Sequence, residues 1–182
     1  MQRHALVPIA QFLQDRAKDQ KVDLIELGCG TGRFHTFLRD NLPPDANTIA
    51  LDLSPFYLEH AKRNDRRWRR LRAAEAVKPA TFIHAAAESV PLPSESQDIV
   101  VMVYLLHECP SDARRSLAVE AARLLRPGGL CVVADSIQLG DRPALDSSLA
   151  VFKDFNEVGD GPCSTLRNPP KLISSGPPSQ PP

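Results

Sequence analysis

The sequence predicts an α/β fold, a doubly wound sheet of five parallel strands, and three observations carry that expectation. From Val22 onward, short β-branched apolar runs alternate with amphipathic helical stretches, the rhythm of a parallel sheet covered on both faces. Each run is apolar enough to be buried on two faces. The length, 182 residues, suits one domain with a sizeable core, on a prior of roughly 100–200 residues per domain.

Taken in order, an amphipathic stretch over residues 7–19 predicts a helix ahead of a first strand at 22–28. A helix at 33–41 follows, then a strand at 48–53, a helix at 55–72 and strands at 81–85 and 98–105. A helix at 111–125 leads to the fifth strand at 130–135. The helix at 111–125 is marked by Pro110 and Ser111 at its start, Leu117, Ala121, Leu124 and Leu125 at helical spacing, and the Pro127-Gly128-Gly129 stop. The helix at 55–72 carries Lys62, Arg63, Arg66, Arg67, Arg69, Arg70 and Arg72; such a run either touches phosphate or RNA or, more commonly, forms a solvated face. One more helix is expected at 144–155. Residues 159–182 hold seven of the 17 prolines and no periodicity, which reads as a disordered tail after a domain of residues 1–158.

Composition narrows the function. Lys and Arg number 22 against 22 Asp and Glu, so no global field draws in nucleic acid or an anionic membrane, and no nucleic-acid partner is expected. No stretch approaches the ~18 apolar residues of a membrane span, and the N-terminus lacks a leader pattern, so a cytoplasmic location is expected unless a targeting segment lies outside this chain. Cys29, Cys109, Cys131 and Cys163 are scattered without a C-x-x-C pair, against a zinc site and a disulfide scaffold; reduced thiols are expected. No metal is implied, because His and acidic residues do not cluster at ligand spacing.

The chemistry concentrates in LIELGCGTGRF, residues 24–34, an apolar strand running into Glu26-x-Gly28-x-Gly30-x-Gly32 and then a helix. Glycines let the chain turn tightly and let a ligand lie on bare backbone. A dinucleotide fingerprint is G-x-G-x-x-G, and here Arg33 takes the sixth position, so this is not a pyrophosphate loop. Asp52 closes the next strand 20 residues beyond Gly32, where an acidic side chain grips ribose hydroxyls. A nucleoside ligand is implied.

With these residues the chain resembles the class I S-adenosylmethionine-dependent methyltransferases, most closely the small-molecule branch of the ubiquinone and menaquinone C-methyltransferases. Four motifs match in order, ELGCGTGRF, ALDLSPFYLEHAK, AAAESVPLPSESQDIVVMVYLLHE and EAARLLRPGGLCVVAD, together covering residues 22–135. The resemblance implies a Rossmann-like sheet of order 3-2-1-4-5, S-adenosylmethionine as cofactor and a small-molecule methyl acceptor. Gly28, Gly30 and Gly32, with Cys29 among them, would pass under the methionine and ribose. Glu26 would orient the loop and set negative charge near the ammonium and sulfonium, or merely cap loop amides. Asp52 would accept from the ribose hydroxyls, or be an N-cap; Leu53 would pack on the adenine.

One motif departs from the pattern. Relatives often carry an Asp two places before the Glu of A-E-x-x-P-x-P, where this chain has Ala86. Backbone amides at Ala87 or the carboxylate of Glu88 would substitute, unless Glu88 is an exposed helix starter. Past the fourth strand lie Tyr104 and His107, where open α/β sheets place ligands. Methyl transfer needs alignment more than acid or base, so His107 is either a base for an acceptor that must lose a proton or part of the pocket wall, and Tyr104 either lines the methyl path or does the same. For Cys29 the small side chain suffices as an explanation; a reactive thiol is the alternative.

The family's usual last two strands find no place in this ending, and only one helix precedes the first strand. The expectation is a truncated end that leaves the fifth strand as an open edge, inviting self-association. Three readings follow: an active methyltransferase, a truncated cofactor-binding or partner-binding form without turnover, and a nicotinamide dehydrogenase, which the glycine spacing and Arg33 oppose.

Overall fold

A computed structural model of the chain describes residues 2–16, 20–72 and 77–136. Five strands, β1 (Asp23–Leu27), β2 (Asn47–Asp52), β3 (Thr81–His84), β4 (Gln97–Val103) and β5 (Leu125–Ala134), form one sheet. Its order is β3-β2-β1-β4-β5 and every pairing is parallel. Four helices flank the sheet: α1 (Gln2–Gln14) precedes β1, and α2 (Arg33–Arg39), α3 (Pro55–Leu71) and α4 (Ser111–Leu124) lie in the crossovers to β2, β3 and β5. The chain runs outward from β1 to β3 and returns to the other side of β1 at β4. That reversal opens a crevice at the carboxyl ends of β1 and β4, where such sheets bind ligands.

Side chains alternate across the sheet because successive strand residues point to opposite faces. Leu24, Ile99, Val101 and Val132 meet Ala5 and Ile9 of α1 and Phe34 and Leu38 of α2. Ile25, Leu27, Val100 and Met102 meet Leu117, Ala121 and Leu124 of α4 on the other face. Leu24, Ile25, Leu27 and Leu117 are wholly buried, each worth about 1.5–3 kcal/mol in apolar burial.

The expected elements are present with shifted ends. α1 lies five residues earlier than the 7–19 stretch, because its buried stripe is Ala5, Ile9, Phe12 and Leu13, while Val7 is exposed. β5 begins at Leu125 instead of residue 130. One pairing, Gln97 with Leu125, forms before a register shift, and the regular ladder resumes at Leu130 with Ile99. The Pro127-Gly128-Gly129 stop falls inside that irregular stretch, with Gly128 at φ 79. A 3₁₀ turn at Leu106–Glu108 was not expected. Cys29 and Cys131 hold free thiols. The expected helix at 144–155, the tail and the ending lie outside the described residues. Among the described residues no helix is long and apolar enough to cross a membrane, and no group of three His, Cys, Asp or Glu could hold a metal.

Candidate cofactor crevice and the residues at its mouth

The glycine loop leaves β1 with Gly28 at φ 70, Gly30 at φ 53 and Gly32 at φ 73, a left-handed backbone that side chains rarely adopt. Each has different surroundings. A Cβ on Gly28 would stand 2.7 Å from Leu105 Cδ1, and one on Gly32 would stand 2.8 Å from Ala61 Cβ, whereas one on Gly30 would meet nothing within 4 Å. Gly32 thus lets α2 approach α3, and Gly28 lets the segment after β4 close on the loop. Only the space over Gly30 is open.

Asp52, at the end of β2, is buried and faces that loop. Its Oδ2 accepts from the Gly30 amide at 2.7 Å and its Oδ1 from the Ser54 amide at 2.8 Å. The N-cap of α3 is Ser54, whose hydroxyl accepts from the Tyr57 amide, so Asp52 is not the cap. Leu53 is half-buried beside it, its carbonyl in contact with His84 Nε2 at 2.9 Å.

Glu26 is buried and paired with a partner the sequence did not single out, the Nδ1 of buried His35, at 3.0 Å. Burial pushes the Glu26 carboxyl above its ordinary range, and nearby Asp52 adds to this, against the hydrogen bond and charge of His35. Its only hydrogen bond among the described residues runs to His35 on α2, so the alternative in which Glu26 caps loop amides is not what the structure shows. Cys29 packs its sulfur among Ala50, Leu58 and Ala61 beneath the loop. Burial drives its thiol far up, with Glu26 and Asp52 adding to the effect, so it is not a thiolate nucleophile.

The 87–93 segment closes the far side. Ala87 is buried against the sheet and Glu88 is half-buried. Two residues of α4 hold this segment: Glu120 accepts from the Val90 amide at 2.6 Å, and Arg123 donates to the carbonyls of Leu92 at 2.9 Å and Val90 at 3.1 Å. Neither was singled out from sequence, because each is one more charge on an amphipathic helix until its partner is known.

At the mouth, Tyr104 follows β4 with φ 56 and is exposed. Its ring meets the His107 ring edge-on, centroids 6.1 Å apart. His107 lies between two carboxylates, Asp135 Oδ1 at 2.5 Å from Nδ1 and Glu108 Oε1 at 3.0 Å from Nε2. Asp135, from the end of β5, also accepts from the amides of Leu106 at 2.7 Å and His107 at 3.2 Å. It therefore fixes the 3₁₀ turn and the imidazole together. The sequence placed Asp135 at the end of its last motif without giving it a role.

The comparisons agree with this geometry. Residues 25–133 match the family model described as a methyltransferase domain, more than half of the chain, and the chain belongs to that family of methyltransferases, whose cofactor is S-adenosylmethionine. It is similar to a 27-O-demethylrifamycin SV methyltransferase of Amycolatopsis mediterranei, 29% identical over 84% of this chain and 50% of that one. It is also similar to a tRNA N(3)-methylcytidine methyltransferase of Drosophila melanogaster, 30% identical over 70% of this chain and 38% of that one. In structure it resembles the YcgJ protein of Bacillus subtilis, with a TM-score of 0.58 and 25% identity over 80% of this chain and 55% of that one. The chain spans about half or less of the length of these two curated relatives. The crevice fits the cofactor: bare backbone with open space at Gly30, beside a carboxylate that holds one amide on each oxygen and keeps lone pairs for two hydroxyls.

Proposed function

We propose that the chain transfers a methyl group from S-adenosylmethionine to a small organic acceptor by in-line displacement, with the cofactor between the glycine loop and Asp52. The observation that carries this is the Asp52 carboxylate locked to the Gly30 amide beside the open face of the loop. Bound there, the cofactor supplies an electrophilic methyl on a sulfonium. Asp52 accepts from the ribose hydroxyls, Gly28 and Gly32 keep the loop closed on its neighbours, and Leu53, Ala87 and Glu88 flank the base. Glu26, fixed by His35, sets the loop's position from below.

Tyr104 lines the approach of the acceptor. Asp135 accepts from Nδ1–H of His107, which leaves Nε2 as the atom that takes a proton from an acceptor as it is methylated. Glu108, at 3.0 Å from Nε2 but exposed, has to turn away to free that nitrogen for the acceptor, and then takes the proton on to solvent. The small-molecule acceptor rests on the likeness to the rifamycin relative, and the tRNA relative names the competing class.

Calorimetric titration with S-adenosylmethionine and S-adenosylhomocysteine, with NAD as control, tests the site. One-to-one binding that Asp52→Ala abolishes is expected; a folded chain that binds neither compound overturns the proposal. Binding without turnover of any acceptor supports the form without activity instead. For turnover, His107→Gln is expected to lower kcat by about 10²–10⁴-fold, with little change in cofactor affinity.

A further inference from the structure

The chain's charge balances, but not locally. α3 carries six basic side chains, Lys62, Arg63, Arg66, Arg67, Arg69 and Arg70, against Glu59 and Asp65. That leaves the helix at +4 and the remainder of the chain at −4. Asp65 is taken up inside by Arg39 of α2, whose guanidinium lies 4.7 Å from the Trp68 ring. The Trp68 indole donates to Asp40 at 3.0 Å, and Asp40 also takes Arg72. Glu59 holds Lys62. Among the described residues Arg66, Arg67 and Arg70 form no ion pair, and all three are exposed, as is Arg63.

Helical geometry puts these charges in one row. At ~100° per residue, Phe56, His60, Arg63, Arg67 and Arg70 fall within about 80° of one another, with Arg66 at the edge, along about 21 Å of helix. Phe56 heads the row, 66% exposed, with the His60 ring against it edge-on at 4.6 Å. It stands four residues after Asp52, at the crevice end of α3. Glu59 stands on the same face and offsets part of the charge of Arg63 and Arg66; the arginine charge left over, under an exposed aromatic ring, is the pairing that binds phosphates and stacks a base.

We propose that this face of α3 docks a single-stranded nucleic acid, with Arg63, Arg66, Arg67 and Arg70 against successive phosphates and Phe56 stacked on a base. The surface is separate from the methyl-transfer residues and the proposal does not rest on the acceptor assigned above. A membrane surface is the weaker occupant, because the exposed apolar residues of α3, Phe56 and Leu71, stand at its opposite ends and give no continuous apolar stripe to enter lipid.

The test is fluorescence anisotropy of a short labelled oligouridylate titrated with the full chain over a range of salt, beside polyglutamate and anionic phosphatidylserine vesicles. Saturable binding is expected, with log affinity falling against log salt by a slope of about −2 to −3. Arg63→Gln/Arg67→Gln/Arg70→Gln should flatten that slope by about 2, while the triple Arg→Lys variant retains it. Phe56→Ala should weaken binding about tenfold. Both Gln and Ala variants should keep the parent's melting temperature and its S-adenosylmethionine titration. No saturable binding at low salt, binding indifferent to these substitutions, or equal or tighter binding of polyglutamate or vesicles overturns the proposal.

Discussion

At the scale of single residues, the crevice depends on three glycines that look alike in sequence and are not alike in space. Gly28→Ala meets both a positive φ and Leu105 at 2.7 Å, so a loss of about 2 kcal/mol in urea unfolding is expected. Gly30→Ala meets only the backbone term, ~1 kcal/mol, yet its methyl enters the open cradle and should weaken S-adenosylmethionine binding more than Gly28→Ala weakens folding. Glu26 yields a prediction in pH. Its folded carboxyl is raised, chiefly by burial, so the folded state holds a proton that the unfolded state has released. Stability should therefore fall as pH rises from the ordinary Glu value through the raised one. Glu26→Gln should remove that slope, as read from melting temperature against pH.

At the scale of elements, α4 does more than cover the sheet. Glu120 and Arg123 hold the 90–92 backbone, so α4 sets the wall expected to flank the adenine. Glu120→Ala strands the buried Val90 amide, at a cost of about 1–3 kcal/mol, and should raise the Kd for S-adenosylmethionine while sparing His107. The 3₁₀ turn is a similar case. Asp135→Asn weakens its grip on two amides and on Nδ1 of His107 together. The expected result is a lower kcat and a shifted pH profile of turnover at near-constant cofactor affinity. These elements were legible in sequence as types: the helix at 111–125 announced itself by spacing and flanking prolines, and β5 by its apolar run. Their ends were less so, because β5 starts with one pairing ahead of a register shift that no local pattern encodes.

At the scale of the whole molecule, Asp98 ties distant parts together. Its carboxylate accepts from the Asp23 amide at 2.9 Å and pairs with Arg16 beyond α1 at 2.9 Å and Arg126 in β5 at 3.0 Å. Burial would raise its carboxyl, but the Asp23 amide, Arg126 and Arg16 outweigh it and hold the group below its ordinary value. Its contribution is therefore present above the ordinary Asp range and lost as pH falls through the depressed one. Asp98→Ala, which leaves two arginines and an amide without their partner, should lower stability by about 3 kcal/mol at neutral pH. The same substitution should reduce the loss on acidification. Among the described residues β5 is paired on one side only. We propose that this edge supports self-association, which sedimentation at rising concentration would show as a growing dimer fraction and a constant monomer mass would refute.

What could be read from the chain alone was whatever rests on local pattern. Apolar runs and helical spacing specify buried strands and covering helices, glycines at alternate positions specify a loop of bare backbone, and Asp52 follows from its distance along one βαβ unit. The pairings that give those residues their settings needed the packed fold. His35 beneath Glu26, Asp135 behind His107, Glu120 on Val90 and Asp98 among Asp23, Arg16 and Arg126 each join segments that crossovers and sheet register bring together. Periodicity reports which side of an element is buried; it carries no record of which buried polar groups will face one another, and burial obliges those groups to find partners.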